Sequence, residues 1–151
     1  MVKSYTGVRK APEKEIQKMT VQDFMSSKLV TFKPDQSIGE VAEMLMKKNI
    51  SGGPVIDDDG CLIGIISEGD CLKEIVRGKY LNSPNHMGRV EDHMVREVKT
   101  TTAEAGILEV AQRFLNERVR RFPVLKDGNV IGQISQRDIL RAVNGLKDST
   151  W

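Results

Sequence analysis

Gly64-Ile65-Ile66-Ser67-Glu68-Gly69-Asp70 and Gly132-Gln133-Ile134-Ser135-Gln136-Arg137-Asp138 are two copies of one pattern. Each runs an apolar stretch into a serine and places an aspartate three residues later. Apolar residues then resume, Cys71-Leu72 in the first copy and Ile139-Leu140 in the second. The pattern reads as a strand passing into a helix, with a hydroxyl and a carboxylate at the junction. Free N–H groups at a helix start enable such a corner to hold an anion or a polar small molecule.

The residues upstream of each corner repeat as well. Val21-Gln22-Asp23-Phe24-Met25 predicts one helical turn capped by Thr20, and Leu29-Val30-Thr31-Phe32 a short strand closed by Pro34-Asp35. Ser37 with Glu40 has capping-box spacing, and the helix behind it sets Ile38, Val41, Ala42, Leu45 and Met46 on one face. Gly52-Gly53 breaks that pattern, Pro54-Val55-Ile56 is a strand, and Asp57-Asp58-Asp59-Gly60 is the turn of a hairpin returning through Leu62 to Ile66. A helix from Glu68 to about Arg77 completes the first repeat. Val90 to Met94, Val98-Lys99-Thr100, then Ile107, Val110, Ala111, Phe114 and Leu115 follow at an offset of 69. Phe122-Pro123-Val124-Leu125 keeps that offset, and the shorter turn Lys126-Asp127-Gly128 reduces it to 68. The expected boundaries are an extension 1–19 with a short helix from Pro12, repeats 20–78 and 90–145, a linker 79–89 and a tail 146–151.

Each repeat supplies one hairpin, one short strand and two helices, an α/β (α+β) unit with a small three-stranded sheet. Such a unit is too small to cover both faces of its sheet, so the expectation is two sheets packed together with pseudo-twofold symmetry. The composition, 39% apolar and 29% charged with 23 basic against 21 acidic residues, is ordinary for a soluble globular chain. No bulk charge argues for nucleic acid. No apolar run approaches the roughly 20 residues of a membrane helix. Met1 to Lys18 lacks the apolar core of a signal peptide, and two cysteines in the first half suggest no disulfide framework. The expected location is a reducing cytoplasm.

Two copies of turn, strand, capped helix, Pro-Val strand, Asp-Gly hairpin and Gly-x-x-Ser-x-x-Asp resemble a tandem pair of CBS domains, a Bateman module, over roughly Val21 to Val143. The resemblance implies a regulatory module that senses an adenosine compound such as AMP, ADP, ATP or S-adenosylmethionine for a partner protein. It implies that Asp70 and Asp138 accept hydrogen bonds from ribose hydroxyls, with Ser67 and Ser135 near ribose or phosphate. It also implies that the other repeat completes each cleft. Thr31, Phe32, Ser51, Gly52, Gly53 and Pro54 would join Asp138; Thr100, Thr101, Arg120, Arg121 and Phe122 would join Asp70. Adenine needs a slot that backbone can approach closely, which Gly52-Gly53 would permit, and phosphate needs guanidinium groups, which Arg118, Arg120, Arg121 and Arg137 would supply. Glu68 at a helix start repels phosphate where Gln136-Arg137 attracts it, so the Asp138 cleft is the expected nucleotide site. The helix faces left over imply a homodimer, and the regulated protein is unspecified.

Plainer readings stand beside these. Ser-x-x-Asp at a helix start is also a cap, and a ligand-free dimerisation scaffold is the alternative function. Arg120-Arg121 could be surface charge, and one nearby aromatic in no basic stripe makes nucleic acid a poor alternative. Asp57 to Gly60 lacks the later glutamate of a calcium loop. His86 and His93, seven apart, assemble no metal set, and Cys71 reads as a small buried residue. Met25, Met44, Met46 and Met94 are expected in the core. No nucleophile–base pairing, phosphate loop or carboxylate pair supports catalysis, so no enzyme and no required cofactor is expected.

Overall fold

The computed structural model describes residues 15–80 and 88–150. The start of the extension, most of the linker with His86, and Trp151 lie outside the described residues. Helix α1 spans Val21–Phe24, α2 Ile38–Lys48, α3 Glu68–Tyr80, α4 Val90–His93, α5 Ile107–Glu117 and α6 Gln136–Thr150. The strands are β1 Gly52–Ile56, β2 Leu62–Ser67, β3 Thr101–Thr102, β4 Arg121–Lys126 and β5 Asn129–Ser135.

Local chemistry sets these limits. The Asp23 carboxylate accepts the Thr20 N–H and hydroxyl at 3.1 and 3.3 Å, holding the single turn of α1. Ser37 Oγ accepts the Glu40 N–H at 3.1 Å, the capping bond expected for α2. Asn49 and Arg118 end α2 and α5 in the left-handed region at φ 53° and 56°. The second hairpin turns on Asp127 and Gly128 at φ 53° and 84°, the pair of positive values that fits the twist of its strands.

The chain packs as two compact units, and these are not the two sequence repeats. Among the described residues, the first-repeat unit comprises 28–80 and 88–99 with the turn Asp127–Val130; the second-repeat unit comprises 15–27, Thr100–Lys126 and 131–150. Each unit therefore takes its opening helical turn from the other repeat's sequence. A glycine explains the exchange. A Cβ on Gly132 would stand 2.8 Å from Met25 Sδ and 2.9 Å from the Ser26 carbonyl oxygen. A Cβ on Gly64 would stand 2.6 Å from Met94 Sδ and 3.0 Å from the Val95 carbonyl oxygen. Each bare strand position thus receives a methionine, and backbone bonds lock it there: Ser26 N–H to Gln133 O at 2.9 Å, and Val95 N–H to Ile65 O at 2.8 Å.

In the first-repeat unit β1 and β2 pair antiparallel from Gly52 opposite Ser67 to Ile56 opposite Leu62, with an irregularity between Val55 and Ile56. The third strand expected there contracts to one parallel bridge, Phe32 with Val55, held by Phe32 N–H to Pro54 O and Ile56 N–H to Phe32 O, both 2.9 Å. Its core is Phe32, Ile38, Val41, Leu45, Val55, Ile66, Cys71, Val90 and Met94. The second-repeat unit has the full order β3-β4-β5, with Thr101 opposite Val124 in parallel. Its core holds Val21, Ile107, Val110, Phe114, Phe122, Val124, Ile134, Ile139 and Ala142.

Met46 is not core. It is 77% exposed, as is its counterpart Leu115 at 78%. The buried stripe of α2 is Ile38, Val41 and Leu45, and one further residue turns about 100° away from it.

Candidate functional site

Both Ser-x-x-Asp corners fold as reciprocal caps. At the second, Asp138 Oδ2 accepts the Ser135 N–H at 2.8 Å and its hydroxyl at 3.0 Å, while the Asp138 N–H reaches Ser135 Oγ at 3.3 Å. At the first, Asp70 Oδ2 accepts the Ser67 N–H at 2.9 Å and its hydroxyl at 3.0 Å, with the Asp70 N–H 3.4 Å from Ser67 Oγ. Strand-end serine and helix-start aspartate therefore fix one another. In both corners Oδ2 carries the cap, which leaves Oδ1 aimed elsewhere. A carboxylate has about four acceptor positions, so a second partner such as a diol is within its capacity.

The corners differ in their surroundings. Asp138 is buried, 8% exposed, and its Oδ1 lies 3.5 Å from Arg141 Nη1. Arg137 is exposed beside it, and Gln136 Nε2 donates to the Val119 carbonyl at 3.4 Å. Asp70 is half-buried next to the exposed Glu68, whose N–H donates to the Ser51 carbonyl at 2.9 Å. Burial, and less strongly the Asp70 carboxylate, push the neighbouring Cys71 thiol above its ordinary value of 9.0.

Several expected ligand residues belong to the cores. Phe32 and Phe122 are fully buried, and Gly52, Gly53 and Pro54 are buried strand residues. A Cβ on Gly52 would stand 2.7 Å from the Ile66 carbonyl oxygen; one on Gly53 would stand 2.7 Å from the Val30 carbonyl oxygen and 3.0 Å from the Phe32 ring. Packing within the unit therefore demands both glycines, since the protein's own backbone fills the space beside them. Phe32 and Gly53 correspond to Thr101 and Phe122 in the other repeat, so each unit places one phenylalanine in the same region from opposite strands. Thr101 is buried in β3, Thr31 and Arg120 are exposed, and Ser51, Thr100 and Arg121 are half-buried.

One arrangement went unforeseen. Arg113 Nη1 donates to the Thr100 carbonyl at 2.7 Å, its Nε and Nη2 reach the Glu117 carboxylate at 2.6 and 3.3 Å, and its guanidinium lies 4.3 Å over the Phe122 ring. This clamp positions the start of β3, where Thr100 and Thr101 lie. The signal available was the i, i+4 arginine–glutamate pair where the first repeat has Met44 and Lys48. Among the described residues no group of three or more His, Cys, Asp or Glu stands close enough to hold a metal ion.

The CBS domain family model matches residues 21–77 and 90–145. The chain belongs to the CBS domain family and carries the domain twice. Such pairs are generally regulatory modules rather than catalytic ones. The crystal structure of CBSX2 in complex with AMP superposes with a TM-score of 0.74 and 30% identity, over 85% of this chain and 98% of that one. The CBS domain pair of protein MJ0100, in complex with 5-methylthioadenosine and S-adenosyl-L-methionine, gives 0.71 and 29%, over 84% and 97%. The uncharacterized protein MJ1225 of Methanocaldococcus jannaschii is 27% identical over 131 residues, and this chain spans only 44% of its length. No helix among the described residues is long and apolar enough to cross a membrane.

Proposed function

We propose that this chain is a regulatory module that binds an adenosine-containing ligand and signals to a partner protein through changed packing. The observation that carries the reading is the Asp138 carboxylate: buried, anchored through Oδ2 by Ser135, and with Oδ1 outside that cap. Such a group is pre-set to accept the paired hydroxyls of a ribose. The AMP and S-adenosyl-L-methionine complexes of similar CBS pairs supply the ligand class. The residues proposed to serve the ligand are, in the second-repeat unit, Ser135, Arg137 and Asp138 with Thr100, Thr101, Arg120, Arg121 and Phe122. In the first-repeat unit they are Ser67 and Asp70 with Thr31, Phe32 and Ser51 to Pro54, where buried members act by shape or backbone. Arginine at the second corner and glutamate at the first favour phosphate at Asp138.

Calorimetry with AMP, ATP and S-adenosylmethionine, using wild type and Asp138→Ala, tests the reading. Binding to wild type with at least about tenfold loss in the variant, its circular dichroism unchanged, is expected. Equal affinity refutes the Asp138 role. A ligand-free scaffold would show no heat and no rise in melting temperature with any compound, whereas a specific ligand at 100 times its Kd stabilises by about 2.7 kcal/mol.

A homodimer belongs to the same proposal. Both units expose apolar side chains at equivalent places: Leu72 and Leu140, Ile75 and Val143, Met46 and Leu115. An isologous contact would bury these apolar patches against the same patches of a second copy.

A further inference from the structure

Arg113 lies in the middle of α5 in the second-repeat unit, its side chain 32% exposed, and it holds several elements at once. Its Nε and Nη2 reach the Glu117 carboxylate one turn on at 2.6 and 3.3 Å, which keeps the guanidinium plane in one orientation. From that plane Nη1 donates to the Thr100 carbonyl at 2.7 Å, and the flat face lies 4.3 Å over the Phe122 ring. Phe122 is itself packed on Phe114, their ring centroids 4.6 Å apart. One side chain thus ties α5 both to the residue before β3 and to β4.

Strand β3 gains most from that tie. It is two residues long, an edge strand joined to β4 by parallel pairing of Thr101 with Val124 and Thr102 with Leu125. Residues 96–100 ahead of it belong to no helix or strand. A ladder this short fixes the incoming chain weakly by itself.

The first-repeat unit provides an internal control. Its counterparts of Arg113, Glu117 and Phe122 are Met44, Lys48 and Gly53; Met44 packs against the apolar core and Lys48 is exposed. The matching strand there is the single bridge of Phe32 with Val55. The same fold therefore closes with hydrocarbon at this place, and the polar clamp is an addition of the second repeat rather than a requirement of the architecture.

We infer that Arg113 is a positioning residue for the ligand: it sets the backbone at Thr100 and Thr101 before binding, so their contacts with an adenosine compound form without a further cost of ordering. This rests on the proposed function, in which Thr100 and Thr101 serve the ligand. Arg113 acts through the strand, and its fork matters more than its charge. An ammonium group is a point charge that cannot make the paired bonds to Glu117, the bond to Thr100 and the ring contact together.

Calorimetry with AMP and S-adenosylmethionine on the full chain, as wild type, Arg113→Met, Arg113→Lys and Ile107→Val, tests it. Arg113→Met copies the first repeat, so its circular dichroism spectrum should be unchanged. Both Arg113 variants should bind about three- to tenfold more weakly than wild type. Amide exchange at Thr101 and Thr102 without ligand should quicken in both. Ile107→Val trims the buried face of the same helix away from the clamp; it should lower the melting temperature and leave affinity within about twofold. Wild-type affinity in Arg113→Lys would overturn the inference, since charge alone would then suffice. Unchanged affinity or unchanged exchange in Arg113→Met would overturn it too, as would an equal loss in Ile107→Val, the mark of general destabilisation. In each of those cases wild type still binds and the ligand reading survives. A wild type that binds neither compound refutes the ligand reading and this role with it. If Arg113→Met does not fold, Arg113→Lys decides alone.

Discussion

Single side chains carry both the proposed chemistry and its limits. Asp138 serves the helix with Oδ2, and the proposal gives a ligand its Oδ1, which lies 3.5 Å from Arg141 Nη1; such a double role is legible in sequence only as Ser-x-x-Asp. Arg137 is exposed at the start of α6, and the proposal assigns it to phosphate rather than to sugar. Arg137→Ala should therefore weaken AMP or ATP by about tenfold or more while leaving adenosine within about twofold, measured by calorimetry. Equal losses would remove its phosphate role. Cys71 carries a pH dependence of its own. Burial first, and Asp70 second, favour its protonated form, so the folded chain holds that proton after the unfolded chain has released it. The thiol's contribution is complete below its ordinary value of 9.0 and is lost as pH rises past it. Denaturant titrations at pH 8 and about pH 10 should show a steeper alkaline loss for wild type than for Cys71→Ala. Parallel losses would count against that account.

Elements in this protein are limited by what approaches them closely. By sequence, Gly52-Gly53 at the edge between α2 and β1 offers a place for a ligand to approach bare backbone. The structure fills that room with the carbonyls of Ile66 and Val30 and with the Phe32 ring. Sequence shows that a glycine is needed but not which neighbour needs it, since the neighbour comes from another strand. Gly53→Ala should accordingly destabilise by about 1–3 kcal/mol in chemical denaturation, because the contact is with backbone rather than a movable side-chain end. A neutral result would mean that the Val30–Phe32 segment yields easily. Helix α2 shows the complementary case. Its capped start at Ser37 and the buried row Ile38, Val41 and Leu45 were legible from spacing. The fate of Met46 was not, because an apolar residue at the margin of a stripe is buried only if something faces it.

For the whole molecule, the matched exposure of Leu72 with Leu140 and of Ile75 with Val143 on α3 and α6 is the surface on which the proposed homodimer is tested. One lysine in each helix should remove a homodimer without disturbing either core. Leu72→Lys/Leu140→Lys should sediment as a monomer at concentrations where wild type is dimeric, with an unchanged circular dichroism spectrum. A wild-type monomer, or a variant that still dimerises, would discard that face as the contact. The packing units raise the complementary point about connectivity. Each unit borrows its opening turn from the other repeat, so neither 20–78 nor 90–145 contains every residue that its packed unit uses.

The duplication, the order of elements, the capped helices, the two Ser-x-x-Asp corners and most of both cores are legible along the chain. These follow from short-range regularities: alternation along strands, helical spacing, and a serine three residues before an acid. That Met25 covers Gly132 and Met94 covers Gly64, that Phe32 and Phe122 are core, and that Glu74 lies buried beside His93 emerges from packing alone. Each of those is a choice among distant partners, set by which surfaces must be removed from water together, and local patterning does not encode it.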